Sequence, residues 1–186
     1  MVKDSKLGDI ATFLIELPPR IRWHRYSMRT RALRSAFAHL GNNSVIVRPK
    51  SIKSPSRIFI GENVAIYEDC WLQAESPEGR LVIGDGAYVG GRVHLHATGL
   101  VEIGDGSWIT EDVVISDGNH DREYPEVVTS PGPIVIGKKV FIGNGAIILG
   151  GVTIGDGARI GARSLVNRDV PAGATVVGVP ARVVSA

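Results

Sequence analysis

The residue best suited to acid–base chemistry in this sequence is His120, near the start of a long polar loop at residues 117–133. A neutral imidazole, with an ordinary pKa of about 6.5, can accept a proton from a hydroxyl group as a new bond forms. Such a base works better when its second ring nitrogen is held by a carboxylate or a carbonyl. Asp117, Asp121 and Glu123 are close enough in sequence to do this. The loop therefore predicts a general base.

A second group of polar side chains lies in the segment Gly90-Gly-Arg-Val-His-Leu-His96. His94 and His96 flank Leu95, which falls on an inward position of the repeat described next, so both histidines are expected to point outward. They are either surface residues or part of the lining of a substrate groove. Arg92 is able to donate paired hydrogen bonds to a carboxylate or a phosphate. The segment therefore predicts a polar outer surface.

A six-residue repeat must position these side chains. Each copy consists of an aliphatic residue, a glycine, a polar pair and a small residue, and copies begin at Ile60, Ile83, Ile103, Ile136, Ile142, Ile154 and Ile160. A period of six matches neither a helix nor a simple strand alternation. It is typical of a parallel β-helix, in which each hexad forms one flat side and one corner of a coil. The predicted fold class is therefore all-β.

The aliphatic positions align in groups of three, and each group predicts one three-sided coil. The groups are Ile60, Ile66 and Leu72; Ile83, Val89 and Leu95; Ile103, Ile109 and Ile115; Ile136, Ile142 and Ile148; and Ile154, Ile160 and Val166. Successive coils stack like residues on like residues about 4.8 Å apart, and each buried aliphatic side chain is worth roughly 1.5–3 kcal/mol. Such a fold leaves no deep pocket within one chain. Its chemistry is expected on side loops or between subunits.

The chain has 186 residues and a formal net charge of +2. We predict a basic, partly helical segment at residues 1–44 and a β-helix domain at 45–186, from which the loop at 117–133 protrudes. The arginine-rich stretch at 20–40 is either an amphipathic helix that packs on the first coil or a contact for a membrane surface or a lipid-linked sugar. The near-neutral charge and the lack of a base-reading motif argue against nucleic acid as a partner.

Cys70 is the single cysteine, so an internal disulfide is excluded, and its place in the repeat predicts a small core residue. The sequence has no apolar run of about 18 residues that would predict a transmembrane helix. The apolar stretch at 10–17 is short and lacks the features of a signal peptide. We therefore expect a cytoplasmic protein.

Residues from about 57 to 184 resemble the hexapeptide-repeat acetyltransferases, especially the sugar O-acetyltransferases of the maltose, galactoside and nodulation-factor type. The resemblance is carried by the repeats, Ser116-Asp-Gly-Asn-His120, Gly150-Gly-Val-Thr-Ile-Gly155 and Gly178-Val-Pro-Ala-Arg182. It implies a left-handed β-helix, a homotrimer, and acetyl-CoA as a co-substrate in a groove between adjacent subunits. It implies no metal.

The resemblance also implies roles for individual residues. The catalytic histidine of the family aligns with His120, which would act as the general base. Coenzyme A would be bound by Asn144, Ala162, Asn167, Arg168 and Arg182. Arg92 stands where the family usually has an asparagine, and this departure leaves the acceptor open. We expect Arg92, Asp117 and His94 to contact the acceptor.

The leading hypothesis is an acetyl-CoA-dependent O-acetyltransferase that modifies a sugar or a glycan precursor. N-acetylation of an amino sugar or a sugar nucleotide is the alternative, and Arg92 and the basic N-terminal segment make a charged acceptor plausible. A γ-class carbonic anhydrase needs three neutral histidines on zinc, but His120 has no second histidine five residues away. A non-catalytic trimeric scaffold is the remaining hypothesis, and it requires that coenzyme A does not bind.

Overall fold

The computed structural model describes residues 23–75, 77–124 and 126–185. Their strands are short, and they wind into successive coils of a parallel β-helix. The first two coils contain β1 (His39–Leu40), β2 (Val45–Ile46), β3 (Ser51–Lys53), β4 (Ile58–Ile60), β5 (Ala65–Ile66) and β6 (Trp71–Ala74). The next two contain β7 (Arg80–Ile83), β8 (Tyr88–Val89), β9 (His94–Ala97), β10 (Leu100–Ile103), β11 (Trp108–Ile109) and β12 (Val114–Ser116).

A hairpin then interrupts the coils, and the winding resumes after it. The hairpin consists of β13 (Asn119–His120) and β14 (Val128–Thr129). The later strands are β15 (Ile134–Ile136), β16 (Phe141–Ile142), β17 (Ile147–Leu149), β18 (Thr153–Ile154), β19 (Arg159–Ile160), β20 (Leu165–Val166), β21 (Thr175–Val177) and β22 (Arg182–Ser185). Short 3-10 turns occupy Arg34–Ala36 and Pro55–Arg57.

Three sheets form the three faces of the prism. Face A contains β1, β4, β7, β10, β15 and β18. Face B contains β2, β5, β8, β11, β16, β19, β21 and β22, and face C contains β3, β6, β9, β12, β17 and β20. The chain runs from face A to face B to face C in each coil, so every coil has an A–B edge, a B–C edge and a C–A edge. This confirms the predicted β-helix.

The predicted inward columns form the core. Ile103 pairs with Ile136 on face A, and Ile109 pairs with Ile142 on face B, so like residues stack from coil to coil. The aliphatic residue that opens each hexad is almost completely buried. Cys70 is also fully buried, as predicted, and this burial raises the pKa of its thiol to about 11. The Cys70 thiol is therefore protonated at neutral pH.

At the A–B edge, the glycine of the repeat allows close approach of the next coil, and the aspartate accepts a hydrogen bond from a backbone amide. The carboxylate of Asp85 accepts a hydrogen bond of 2.8 Å from the backbone N–H of Glu62, one coil earlier, and Asp156 accepts one of 2.7 Å from Lys138. A β-carbon at Gly61 would stand 2.3 Å from the Asp85 carboxylate. Glycine is therefore required because the next coil approaches so closely, and aspartate satisfies an otherwise unpaired corner amide.

Residues 23–32 are helical and pack on the first coil. The hydroxyl of Thr30, which is buried, accepts a hydrogen bond of 3.0 Å from the backbone N–H of Ile46, and the ring of Trp23 lies 5.9 Å from that of Tyr67. Arg25 and Arg29 are exposed. The amphipathic-helix interpretation is therefore confirmed for this part, and the predicted contact with a membrane or a lipid-linked sugar stays a prediction.

The first coil begins earlier in the chain than predicted. The coils start at β1, which already pairs with β4, rather than near Val45. The predictions for residues 1–22, including the short apolar stretch and the first arginines, lie outside the described residues. Across the described ranges 23–75, 77–124 and 126–185, no helix is long and apolar enough to cross a bilayer.

We predict that Ile142→Asp abolishes cooperative folding. Ile142 is fully buried and stacks between Ile109 and Ile160, so the substitution places an unpaired carboxylate in the core. Phe141→Asp is the matched control, because Phe141 points outward from the same strand. Circular dichroism and thermal melting should show loss of β structure in the first variant alone. A soluble Ile142→Asp protein with a cooperative melt would contradict the assignment of this column.

Candidate functional site

Asp117 anchors the base of the protruding loop. Its side chain is fully buried and accepts hydrogen bonds from the backbone N–H groups of Thr98, at 2.6 Å, and Gly99, at 2.8 Å. The hydroxyl of Ser130 donates a third bond to it, at 3.1 Å. One carboxylate thus ties both arms of the loop to the C–A edge of the preceding coil. Asp117 has no exposed surface in the single chain, and the expectation that it contacts the acceptor stays a prediction.

His120 lies in the hairpin that rises from this base, and the loop therefore has regular structure where none was predicted. His120 pairs with Val128 across the hairpin, and the backbone N–H of Asp121 donates to the carbonyl of Val127 at 2.9 Å. The side chain of His120 is exposed. The predicted base is therefore exposed on a two-stranded hairpin, and Asp117 at the base of this hairpin is hydrogen-bonded to the preceding coil.

Asp121 shapes the turn of the hairpin. One oxygen of its carboxylate accepts hydrogen bonds from the backbone N–H groups of Tyr124, at 3.0 Å, and Glu123, at 2.8 Å. These two bonds, that from Tyr124 first, lower the pKa of the Asp121 carboxyl below its usual range. Asp117 and Asp121 both accept hydrogen bonds from backbone amides, and the predicted orientation of His120 by Asp117, Asp121 or Glu123 stays a prediction.

His94 and His96 point outward from face C, as predicted, on either side of the buried Leu95. Nε2 of His94 lies 3.3 Å from the side-chain oxygen of Gln73, and its ring lies 5.2 Å from the ring of Trp71. Burial lowers the pKa of His94, with a smaller contribution from His96. His94 is therefore neutral at neutral pH and available for hydrogen bonding on the partly covered surface of face C.

Arg92 lies at the B–C edge and has a left-handed backbone conformation, with φ at 59°. Its Nε and Nη2 donate hydrogen bonds of 2.7 Å to the two carboxylate oxygens of Asp112 on the next coil. This bidentate pair raises the pKa of Arg92 and lowers that of Asp112. The arginine that replaces the family asparagine is therefore held along the edge by its own carboxylate partner.

Asn144 and Ala162 lie on the same B–C edge, in later coils. The side-chain amide of Asn144 donates a hydrogen bond of 3.0 Å to the carboxylate of Glu111. Ala162 is exposed. A β-carbon at the adjacent Gly143 would stand 2.7 Å from the backbone nitrogen of Ala162, so the two turns are in close contact. The small residues leave the backbone of this edge open to a narrow ligand chain.

Asn167, Arg168 and Arg182 come together at the C–A edge of the last coil. With Asp169 they are the polar side chains around a pocket of about 130 Å³. Arg182 reaches it because β22 turns back and pairs antiparallel with β21. The five residues predicted to bind coenzyme A therefore form two groups, which flank the end of face C. Between them Ile147 and Leu149 point outward, each 39% exposed.

Two surface features were missed in the sequence. The rings of Tyr88 and Trp108 stack on face B with centroids 4.4 Å apart, and Trp108 is 50% exposed. Each precedes an inward aliphatic residue, and reading that outward position along the repeat would have revealed the stack. The second feature is a cleft of about 600 Å³ between face A and the return arm of the loop. Its charged lining residues are Glu78, Arg80 and Glu102.

Nowhere in the described parts of the chain do three or more side chains of His, Cys, Asp or Glu lie close enough together to hold a metal ion.

Comparison with known proteins decides the family. The model described as bacterial transferase hexapeptide (six repeats) matches residues 133–168. Nodulation protein L of Rhizobium meliloti (strain 1021) is 49% identical over 181 residues, which cover 97% of this chain and 79% of the relative. The chain belongs to the hexapeptide-repeat acetyltransferases. As a member of this family it is an acyltransferase, and acetyl-CoA is its co-substrate.

Two further similarities relate this acetyltransferase to enzymes with different acceptor atoms. Galactoside O-acetyltransferase of Escherichia coli (strain K12) is 30% identical over 189 residues, which cover 99% of this chain and 88% of the relative. The crystal structure of AntD, an N-acyltransferase from Bacillus cereus in complex with dTDP and 3-hydroxybutyryl-CoA, superposes with a TM-score of 0.74. It is 27% identical, and the match covers 85% of this chain and 87% of AntD.

We predict that Asp117→Ala destabilises the acetyltransferase, because a buried backbone N–H group, that of Thr98, and a partly buried one, that of Gly99, lose their acceptor. The expected loss is roughly 2–4 kcal/mol, or roughly 5–15 °C in Tm for a chain of this size. Asp121→Ala is the matched control, since that carboxylate bonds only within the exposed turn, and its Tm should change little. Differential scanning fluorimetry compares the two. Equal Tm values for both variants would refute the anchoring role.

Proposed function

We propose that the chain is an acetyl-CoA-dependent O-acetyltransferase that modifies a hydroxyl of a sugar or a glycan precursor, with His120 as the general base. The observation that carries the proposal is the exposed imidazole of His120 on a hairpin whose base is fixed by Asp117. The similarity to galactoside O-acetyltransferase along nearly the whole chain supports a sugar hydroxyl as the acceptor. Histidine is the side chain whose ordinary pKa lies nearest neutral pH, and His120 is the one histidine in the loop sequence 117–133.

The proposed step is direct acyl transfer. The acceptor hydroxyl gives its proton to the unprotonated ring nitrogen of His120 while its oxygen attacks the carbonyl carbon of the thioester. The bond between the carbonyl carbon and sulfur breaks, and coenzyme A leaves as a thiolate that can recover the proton from the imidazolium. A sugar hydroxyl is hardly ionised at neutral pH, so removal of its proton during bond formation lowers the barrier.

The residues on both sides of face C suit coenzyme A. Arg168 and Arg182 supply guanidinium groups, which form charge-assisted hydrogen bonds with phosphate oxygens. Ala162, with Gly143 beside it, offers accessible backbone to the amide groups of the pantetheine arm. Asn144 and Asn167 add amide donors and acceptors at the two edges. The chemistry of this set fits a long, narrow ligand with an anionic end.

We propose a homotrimer as the active species. The loop with His120 and the pocket at Arg168 lie on the C–A edge, whereas Arg92, Asn144 and Ala162 lie on the B–C edge, so the width of face C separates the two groups within one chain. Neighbouring subunits would bring the C–A edge of one chain to the B–C edge of the next. The exposed Ile147 and Leu149 supply apolar surface that such contacts would bury.

N-acetylation of an amino sugar or a sugar nucleotide is the second candidate. The observation in its favour is the superposition on AntD, an N-acyltransferase in complex with dTDP, at a TM-score of 0.74. Thiol release from acetyl-CoA, measured against galactosides, maltose, amino sugars and dTDP-linked amino sugars, separates the two candidates. Turnover with neutral sugars supports O-transfer, and turnover confined to the amino compounds supports N-transfer.

We predict that His120→Ala lowers kcat by about 10²–10⁴-fold, since this is the usual contribution of a general base. The Tm and the oligomeric state should stay unchanged, because the side chain is exposed. The assay is thiol release with the best acceptor of the panel. Glu126→Ala, an exposed change in the same loop, is the matched control and should keep wild-type turnover. Full turnover of His120→Ala would remove His120 from the mechanism.

We predict that Arg168→Ala raises KM for acetyl-CoA about 10–100-fold and leaves kcat nearly unchanged. A hydrogen bond to a charged group contributes roughly 1.5–3 kcal/mol, and loss of ground-state binding alone appears in KM. Arg159→Ala removes an exposed arginine from face B of the same coil and is the control. If both variants showed the same KM, Arg168 would not belong to the phosphate site.

A further inference from the structure

A row of polar side chains on face C leads from the first coils to the catalytic loop. Nζ of Lys53 lies 2.5 Å from one carboxylate oxygen of Glu75, and the other oxygen lies 3.4 Å from Nε2 of His96. The bond from Lys53 is the main cause of a lowered pKa of Glu75, so this carboxylate is ionised at neutral pH. The imidazole of His96 therefore faces a fixed negative charge on its Nε2 side.

The opposite side of the His96 ring faces the loop. Its Nδ1 lies 3.4 Å from the hydroxyl oxygen of Ser116, the last residue of β12, and that oxygen is 3.3 Å from the backbone N–H of Gly118. A proton on Nε2, towards Glu75, leaves Nδ1 as an acceptor for the Ser116 hydroxyl. The hydroxyl can then donate to His96 and accept from Gly118. Nε2 of His96 is buried and makes no hydrogen bond within the described residues, so its contact with the Glu75 carboxylate is electrostatic, and the row ends two residues before His120.

The packing around Gly118 also connects His96 to the loop. The side chain of His96 is only 17% exposed. A β-carbon at Gly118 would stand 3.3 Å from Cε1 of His96, 2.9 Å from the hydroxyl of Thr98 and 3.2 Å from a methyl group of Val128. Gly118 is therefore enclosed between the ring and the returning arm of the hairpin. The ring therefore packs against the residue from which the chain rises to His120.

The neighbouring histidine does not share this contact. The rings of His94 and His96 are nearly parallel, 10° apart, with centroids 5.9 Å apart. Nε2 of His94 faces Gln73, which is on the side of the earlier coils. His96 alone of the two pairs with Ser116.

We propose that His96 is a positioning residue for acyl transfer: packed beside the carboxylate of Glu75 and in contact with Ser116, it fixes Ser116 and Gly118 and thereby sets the place of the imidazole of His120. The inference rests on the proposed role of His120 as the base. His96 does not touch the reacting atoms, and its effect passes through the backbone at Gly118. Loss of a residue that orients a functional group without touching the reacting atoms typically costs about 10–100-fold in activity.

The test compares His96→Ala with His96→Asn and His96→Gln. We expect His96→Ala to lower kcat 10–100-fold with the KM for acetyl-CoA unchanged. The side-chain oxygen of asparagine can take the place of Nδ1 as acceptor for Ser116, so His96→Asn should recover most of the loss, whereas glutamine should not. Gln73→Ala changes the side chain in register with His96 on the other side from the loop, and it should keep wild-type kcat.

Hydrogen exchange of the amides in residues 117–124 gives a readout that needs no acceptor. Exchange in this segment should become faster in His96→Ala and stay unchanged in His120→Ala. Unchanged exchange in His96→Ala, or a kcat within about threefold of wild type, overturns the inference while the role of His120 stands. A parallel rise in KM and fall in Tm without recovery by asparagine also overturns it. Turnover by His120→Ala would overturn the proposed function itself.

Discussion

The register between coils is the constraint on which the rest of this structure depends. Many strands have only two residues, too short to persist alone, and they are held by hydrogen bonds to the coils before and after and by aliphatic columns such as Ile103 on Ile136. A one-residue slip would turn the inward column to solvent. The faces therefore tolerate no insertion, and irregular segments are confined to the edges. The candidate catalytic and cofactor residues lie at these edges for the same reason.

The loop with His120 shows how such an interruption is stabilised. The chain leaves face C after Ser116 and returns to face A at Ile134, and a flexible excursion of this length would place an imidazole poorly. Asp117 closes the excursion at its base, and the His96–Ser116 contact supports its rising arm. These polar contacts at Asp117 and Ser116, which are buried or partly buried, thus fix the backbone from which the exposed side chain of His120 projects. Orientation of this kind is what a general base needs in order to act in one direction.

The period of six predicted the inward columns, the outward histidines and the buried Cys70, because a repeat with one residue type per position determines which side of the chain is covered. The partners across the edges could not be read in the same way. Arg92 bonds Asp112 twenty residues away, not eighteen, because the insertion near Gly99 lengthens that coil. The burial of Asp117 depends on the same insertion, because the carboxylate accepts hydrogen bonds from the backbone N–H groups of Thr98 and Gly99 there. The β13–β14 hairpin has no alternating apolar pattern and gave no signal.

The reversed last strand has a consequence for assembly. A solenoid with an uncovered terminal coil would expose a row of backbone donors and acceptors, and the end of one molecule could then recruit another into a fibre. On face B this row is occupied by β22, which runs antiparallel to β21 with an irregular register at Thr175 and Val176. At the other end of the prism, the helix at 23–32 contacts the first coil through Thr30. Edge-to-edge growth of the stack is therefore hindered on face B.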